Sequence, residues 1–176
     1  MKRHLLTTIG LMAILLATAC HRKAAPQPPA APEIPTTPIR PANEPKPEVY
    51  QVAGYQKTAC FGKCPVYQVK FFTDGRATWY GQHNVERMGW YEARVDKAVL
   101  DRIREKALSV NFWDFAGAYP TGQRVADLPS TVTYLRAGDV EKSVVNTHQG
   151  PLELEIFEAY LEGVITGLEW RPTASK

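Results

Sequence analysis

PVYQVKFFTDGRATWYG, Pro65–Gly81, carries two runs of β-branched and aromatic residues on either side of Asp74-Gly75. Gly accepts the positive φ that a type I′ turn needs and Asp tolerates it, so the stretch reads as a hairpin with a two-residue turn. In that register Thr73 faces Arg76, Phe71 faces Thr78 and Val69 faces Tyr80. Tyr67, Val69, Phe71 and Tyr80 then share one face, the expected core side. Val66, Gln68, Lys70, Phe72 and Trp79 share the other, which should be half covered at most. An antiparallel sheet with one buried face is the frame that the rest of the chain has to fit.

Working outward, Tyr50 to Lys57 reads as a strand with Tyr50, Val52 and Tyr55 as packing residues. Met88 to Val95 alternates Gly89, Tyr91, Ala93 and Val95 with Trp90, Glu92 and Arg94, and reads as another. Asp96 offers an N-cap to an amphipathic helix whose apolar positions are Val99, Leu100, Ile103, Ala107 and Leu108. Asn111 to Tyr119 is aromatic and irregular, and Pro120 to Pro129 reads as loop. Ser130 to Arg136 and Glu141 to Val145 form a second hairpin across Ala137-Gly138-Asp139. Gly150-Pro151 opens a last helix, whose expected buried stripe is Ile156, Phe157, Tyr160, Leu161, Val164, Ile165 and Leu168. Glu153, Glu155, Glu158 and Glu162 are expected on its solvent side. The sum is an α+β domain: a largely antiparallel sheet of about six strands, in the order ββββαββα, with both helices on one face.

This folded part, residues 49–170, follows two segments of different character and precedes a tail over 171–176. Met1, Lys2, Arg3 and His4 lead into an apolar run from Leu5 to Leu16 and then Ala17-Thr18-Ala19-Cys20. A basic start, a short apolar core and a small-residue site read as a signal peptide over residues 1–19, too short for a bilayer span of about 20 residues. Ala17-Thr18-Ala19 satisfies ordinary secretory cleavage, while the same residues ending in Cys20 match a bacterial lipobox, except that Ala17 stands where leucine is usual. Lipidation of Cys20 is the expectation, because a tether follows at once. That tether, to residue 48, includes Pro26, Pro28, Pro29, Pro32, Pro35, Pro38, Pro41, Pro45 and Pro47, and lacks the apolar content to pack. The expected place is the bacterial cell envelope, anchored by lipid to the outer membrane and facing the periplasm. A formal charge of +3, two units of which leave with Lys2 and Arg3, gives no case for nucleic acid.

Export decides how Cys60 and Cys64 are read. In an oxidising compartment such a pair is most simply a disulfide. Residues four apart in an extended strand sit about 13 Å apart, beyond the roughly 4.4–6.8 Å that a bridge allows between Cα atoms, so Cys60-Phe61-Gly62-Lys63-Cys64 has to turn. A loop this short contributes only about 2 kcal/mol through chain entropy, so its importance lies in shape. Redox catalysis usually spaces its cysteines by two residues at a helix start, whereas here three intervene and a strand follows. A metal site would need two more ligands, and His83 and His148 lie far apart in sequence. No cofactor is implied, and the nucleophile-elbow, S-x-x-K and H-E-x-x-H motifs are absent. Asp127, Ser130 and His148 form a triad on paper only. Phe112, Trp113, Phe115 and Tyr119 read as core.

The run Thr58-x-Cys60-Phe61-Gly62-x-Cys64-Pro65-x-Tyr67, followed by Asp74-Gly75, Tyr80-Gly81, Asn111-Phe112, Tyr119 and Asp127-Leu128-Pro129, resembles the domain-of-unknown-function family DUF6438. The resemblance implies a bacterial secreted protein or lipoprotein with a shared fold, and it transfers no catalytic role. The expected function is a membrane-tethered, non-catalytic binding or adapter domain for an envelope protein or glycan. Phe61, Gly62, Lys63, Lys70, Phe72 and Trp79 are its candidate contact residues. The alternatives are a thiol-disulfide or hydrolytic enzyme of the envelope, or an inhibitor of one.

Overall fold

The structure, a computed structural model, describes residues 48–123 and 127–173. The expected signal peptide, Cys20 and almost all of the tether lie outside the described residues. Eight strands form a single sheet: β1 (Gln51–Lys57), β2 (Val66–Phe72), β3 (Arg76–His83), β4 (Gly89–Arg94), β5 (Ala118–Tyr119), β6 (Thr131–Ala137), β7 (Val140–Asn146) and β8 (Arg171–Pro172). Their spatial order is β5-β7-β6-β1-β2-β3-β4-β8. Every pair is antiparallel except β5 with β7. Helix α1 (Lys97–Ser109) follows β4 and helix α2 (Leu152–Thr166) follows β7. The α+β class and the mostly antiparallel sheet hold, but the sheet has eight strands rather than about six. The two extra ones are two-residue edge strands. β8 pairs with β4 through Tyr91↔Pro172 and Glu92↔Arg171, so the sheet claims residues that read as the beginning of a tail.

The first hairpin has a three-residue loop, not the expected two. Gly75 N donates to Phe72 O at 3.1 Å, Gly75 takes φ +76°, and Asp74 Oδ1 accepts from Arg76 N at 3.0 Å. Thr73 and Asp74 make the turn, and Gly75 forms the left-handed bulge after it. The register therefore shifts by one: Phe71 faces Ala77, Val69 faces Trp79 and Gln68 faces Tyr80. Because strand side chains alternate, one residue turns all of β3 over. Trp79 becomes core, at 6% exposure, and Tyr80 moves to the open face, where it stacks on Trp90 at 4.4 Å.

Cross-strand partners point to the same side of a sheet, so the covered face can be read in three rows. The first runs Lys142, Leu135, Ala53, Phe71, Ala77, Ala93, and the second Val144, Thr133, Tyr55, Val69, Trp79, Tyr91. The third is Asn146, Thr131, Lys57, Tyr67, Gly81, Gly89. Two rows are mainly apolar and pack with both helices in one core; the third turns polar at its β7 end. Ile103 and Ala107 are the buried positions of α1, whereas Leu108, expected inside, is largely exposed. Phe112, buried in a 3₁₀ turn after α1, meets Trp113, Phe115 and Phe157 edge-on at 5.4–5.9 Å, as a core cluster should.

Gly81 sits in the third row because nothing larger fits. The loop from β3 to β4 folds back so that Trp79 Nε1 donates to Arg87 O at 2.9 Å, and a methyl group at Gly81 would run into that same carbonyl. Gly81→Ala is expected to cost about 1–3 kcal/mol as overpacking against backbone, read from chemical denaturation; a change within experimental error would contradict this packing.

Candidate binding site at the disulfide end of the sheet

The polar row leads to the loop between β1 and β2. Cys60 and Cys64 are disulfide-bonded, their Cα atoms 5.8 Å apart, so the segment turns as the spacing demanded. Four further contacts hold the loop. Thr58 N donates to Ser130 O at 2.9 Å and Ser130 N to Thr58 Oγ1 at 2.8 Å. Phe61 N donates to Asp127 O at 3.1 Å, and Asn84 Nδ2 donates to Cys64 O at 3.0 Å. The loop is thus zipped to the segment Asp127–Ser130 on one side and leans on the β3–β4 loop on the other. On this base the Phe61 side chain stands 92% exposed, with Gly62 and Lys63 exposed beside it.

The other expected contact residues do not join them. Lys70 and Phe72 lie half-buried on the open face of β2, where the Arg76 guanidinium covers the Phe72 ring at 4.6 Å. Trp79 belongs to the opposite, covered face and stacks on Tyr67 at 4.3 Å. The one-residue shift in the hairpin is the reason, and it removes Trp79 from any surface.

Beneath the loop a cleft of about 390 Å³ opens between the end of β7, the start of β6 and helix α2. Cys64, Pro65 and Pro129 form its rim; Lys57, Ser130, Thr131, Asn146, Thr147, His148, Glu155 and Glu162 line it. Lys57 Nζ donates to Thr131 Oγ1 at 3.1 Å, and the Ser130 and Thr147 hydroxyls lie 2.7 Å apart. Tyr55 OH donates to Glu162 Oε2 at 3.3 Å. Burial, with Glu162 nearby, pushes the Tyr55 and Tyr67 phenols up, so both remain protonated donors. Asn146 Nδ2 donates to Glu158 Oε2 at 3.0 Å. A Cβ at Gly150 would lie 2.7 Å from Asn146 Oδ1 and Nδ2, so glycine there lets the amide sit flat against the chain.

Glu158, expected on the solvent side of α2, is another residue that lies on the opposite side from the one its sequence position suggested. It is 8% exposed, on the sheet-facing side of α2 with Leu154, Phe157, Leu161 and Ile165, while Ile156, assigned to the buried stripe, is exposed. Its carboxyl is pushed up to about 7, chiefly because burial disfavours the charged form. Glu155 and Glu162 add to this, and the Asn146 amide and Lys57 oppose it. The structure also brings Ser130 and His148 into one cleft, but Asp127 is exposed outside it and the Ser130 hydroxyl is taken by Thr147.

A comparison with curated proteins gives no match. A comparison with protein families matches residues 51–165, a span that includes both the disulfide loop and the Asp127–Ser130 segment zipped to it. The chain belongs to that family, DUF6438, a domain of unknown function.

Proposed function

We propose that this protein is an exported bacterial lipoprotein, anchored through Cys20 at the outer membrane. The proline-rich stretch to residue 48 holds its domain off the membrane, and the domain is a non-catalytic module that docks an envelope protein through the loop Cys60–Cys64. The observation that carries this reading is Phe61, 92% exposed on a loop pinned by a disulfide and by backbone bonds to its neighbours. Burying an exposed phenylalanine in a partner is worth about 1.5–3 kcal/mol. Because the loop is already ordered, little of that is lost to fixing its shape. Lys63 sets a positive charge beside the ring. A serine whose hydroxyl is already engaged and an aspartate outside the cleft speak for binding over hydrolysis.

The test uses the full chain, tagged and extracted from its own envelope in detergent. Phe61→Ala and Lys63→Ala are expected to change stability by no more than about 0.5 kcal/mol, as exposed positions do, and to abolish capture of a discrete envelope protein. Capture that persists with both substitutions in place would overturn the reading. Intact mass of the same extract reports acylation at Cys20; an unmodified mass would remove the anchor from the proposal.

A further inference from the structure

A groove of about 250 Å³ lies between α1 and the sheet. Its floor is Ala53 and Leu135, neighbours in the first covered row, and its wall is Leu100, Ile103 and Ala107 of α1, with Trp113 of the 3₁₀ turn beyond. Alanine on both floor and wall leaves the two layers unfilled there. Leu108, expected inside and found 58% exposed, stands on the lip. The groove lies at the end of the sheet where β1 begins and both hairpins turn, whereas the loop Cys60–Cys64 joins β1 to β2 at the other end. Protein interiors are close-packed, and an apolar cavity of about 150 Å³ is enough to bind benzene. At the same filling this groove has room for about eight to ten carbon atoms.

The rim decides what else such a ligand carries. Lys97, Arg104 and Arg136 stand there against one carboxylate, Asp101. Asp101 is taken by Lys97, whose Nζ lies 2.5 Å from its Oδ2. Arg136 is held by the bond from its Nε to Gly138 O at 2.9 Å and by the Tyr50 ring at 4.4 Å. Arg104 makes no ion pair among the described residues, and it shares a helix face with Leu100 and Leu108, four residues to either side. A cation without an anion of its own, beside an unfilled apolar groove, is complementary to an apolar chain that ends in a negative charge. We infer that the groove binds a medium-length alkyl carboxylate, with the chain between α1 and the sheet and the carboxylate on the Arg104 guanidinium. A guanidinium matches a carboxylate with two parallel N–H bonds. An ammonium end would be repelled by the rim, and a neutral end would leave Arg104 without an anion. The site is separate from the Phe61 contact, so either can fail without the other.

The experiment uses the full chain with Cys20→Ala, so that no detergent competes for the groove; Ala17-Thr18-Ala19 remains for ordinary cleavage. Calorimetric titration at pH 7.5 is expected to show saturable one-to-one binding of octanoate. Octanol is expected to bind about tenfold more weakly, the loss of a charge-assisted bond. Acetate, which has the charge without the chain, is expected not to bind. Arg104→Gln, at an exposed position, is expected to bring octanoate down to the level of octanol and to leave octanol unchanged. Octanoate should move the methyl resonances of Leu100, Ile103 and Leu135 and leave those of Val66, at the other end of the sheet, in place. Octanol matching octanoate in the parent would reduce the groove to apolar surface. That result, no saturable binding, an unchanged affinity in Arg104→Gln, or methyl shifts confined to other positions would overturn the inference. A dimer of the free chain that octanoate dissociates would also overturn it, because the groove would then belong to a second copy. Phe61→Ala is expected to leave octanoate binding unchanged; a loss there would contradict the assignment.

Discussion

Trp79→Ala is expected to lower the unfolding free energy by about 3–5 kcal/mol, as truncation of a large buried aromatic does. The indole is 6% exposed. It stacks on Tyr67 at 4.3 Å, meets Trp170 at 5.8 Å, and its Nε1 donates to Arg87 O at 2.9 Å. Truncation therefore opens a cavity and leaves a carbonyl without its donor. Domains of ordinary stability hold about 5–15 kcal/mol in all, so the variant would sit close to unfolding at 37 °C. Denaturant unfolding with the slope compared between variants provides the measurement. A loss below about 0.5 kcal/mol, the range of exposed substitutions, would return Trp79 to the surface and with it the two-residue turn.

The second large effect belongs to Glu158 and changes with pH. A carboxyl whose pKa is about 7 when folded, against an ordinary 4.5, holds its proton more tightly in the native state than in the unfolded one. Its contribution to stability is therefore complete below the unfolded value and is lost as pH rises through 7. Each unit of difference corresponds to about 1.4 kcal/mol; allowing for residual solvent screening of the carboxyl, about 2 kcal/mol is lost between pH 4.5 and 8. Glu158→Gln keeps an oxygen to accept from Asn146 and removes the titration. The variant is thus expected to match the parent near pH 4.5 and to exceed it by about 2 kcal/mol at pH 8. Lys57, Glu155, Glu162, Tyr55 and Tyr67 are present in both proteins, so the difference isolates position 158. A difference that stays constant with pH, or that favours the parent at pH 8, would contradict a buried carboxyl at this site.

These two residues also show where the sequence was legible and where it was not. Both hairpins could be read from their turns, and both helices from periodicity and from Pro151, because these signals are local. The register of the first hairpin could not be read with the same security. Asp-Gly is compatible with a two-residue turn and with a turn that begins one residue earlier and ends in a glycine bulge, and the choice between them decides where Trp79 points. Edge strands of two residues, Ala118–Tyr119 and Arg171–Pro172, show no alternation to detect. On α2 the apolar residues run almost all round, leaving Leu152 and Ile156 exposed, so periodicity alone does not select the buried stripe. A glutamate inside such a helix is normally assigned to solvent. Only the arrangement of Asn146, opposite Thr131 at the end of the sheet, shows why Glu158 turns inward. The need for Cys60-Phe61-Gly62-Lys63-Cys64 to turn was legible from the spacing of its cysteines, and the 5.8 Å between their Cα atoms agrees with it.

The most direct test of the central claim places a photoreactive phenylalanine analogue at position 61 of the full chain in living cells, with the same analogue at Leu108, an exposed apolar position on α1, as control. Irradiation is expected to yield a discrete adduct with one envelope protein from position 61 and none from position 108. No adduct from position 61, or the same adducts from both positions, would contradict the role of the disulfide-pinned loop as the docking element.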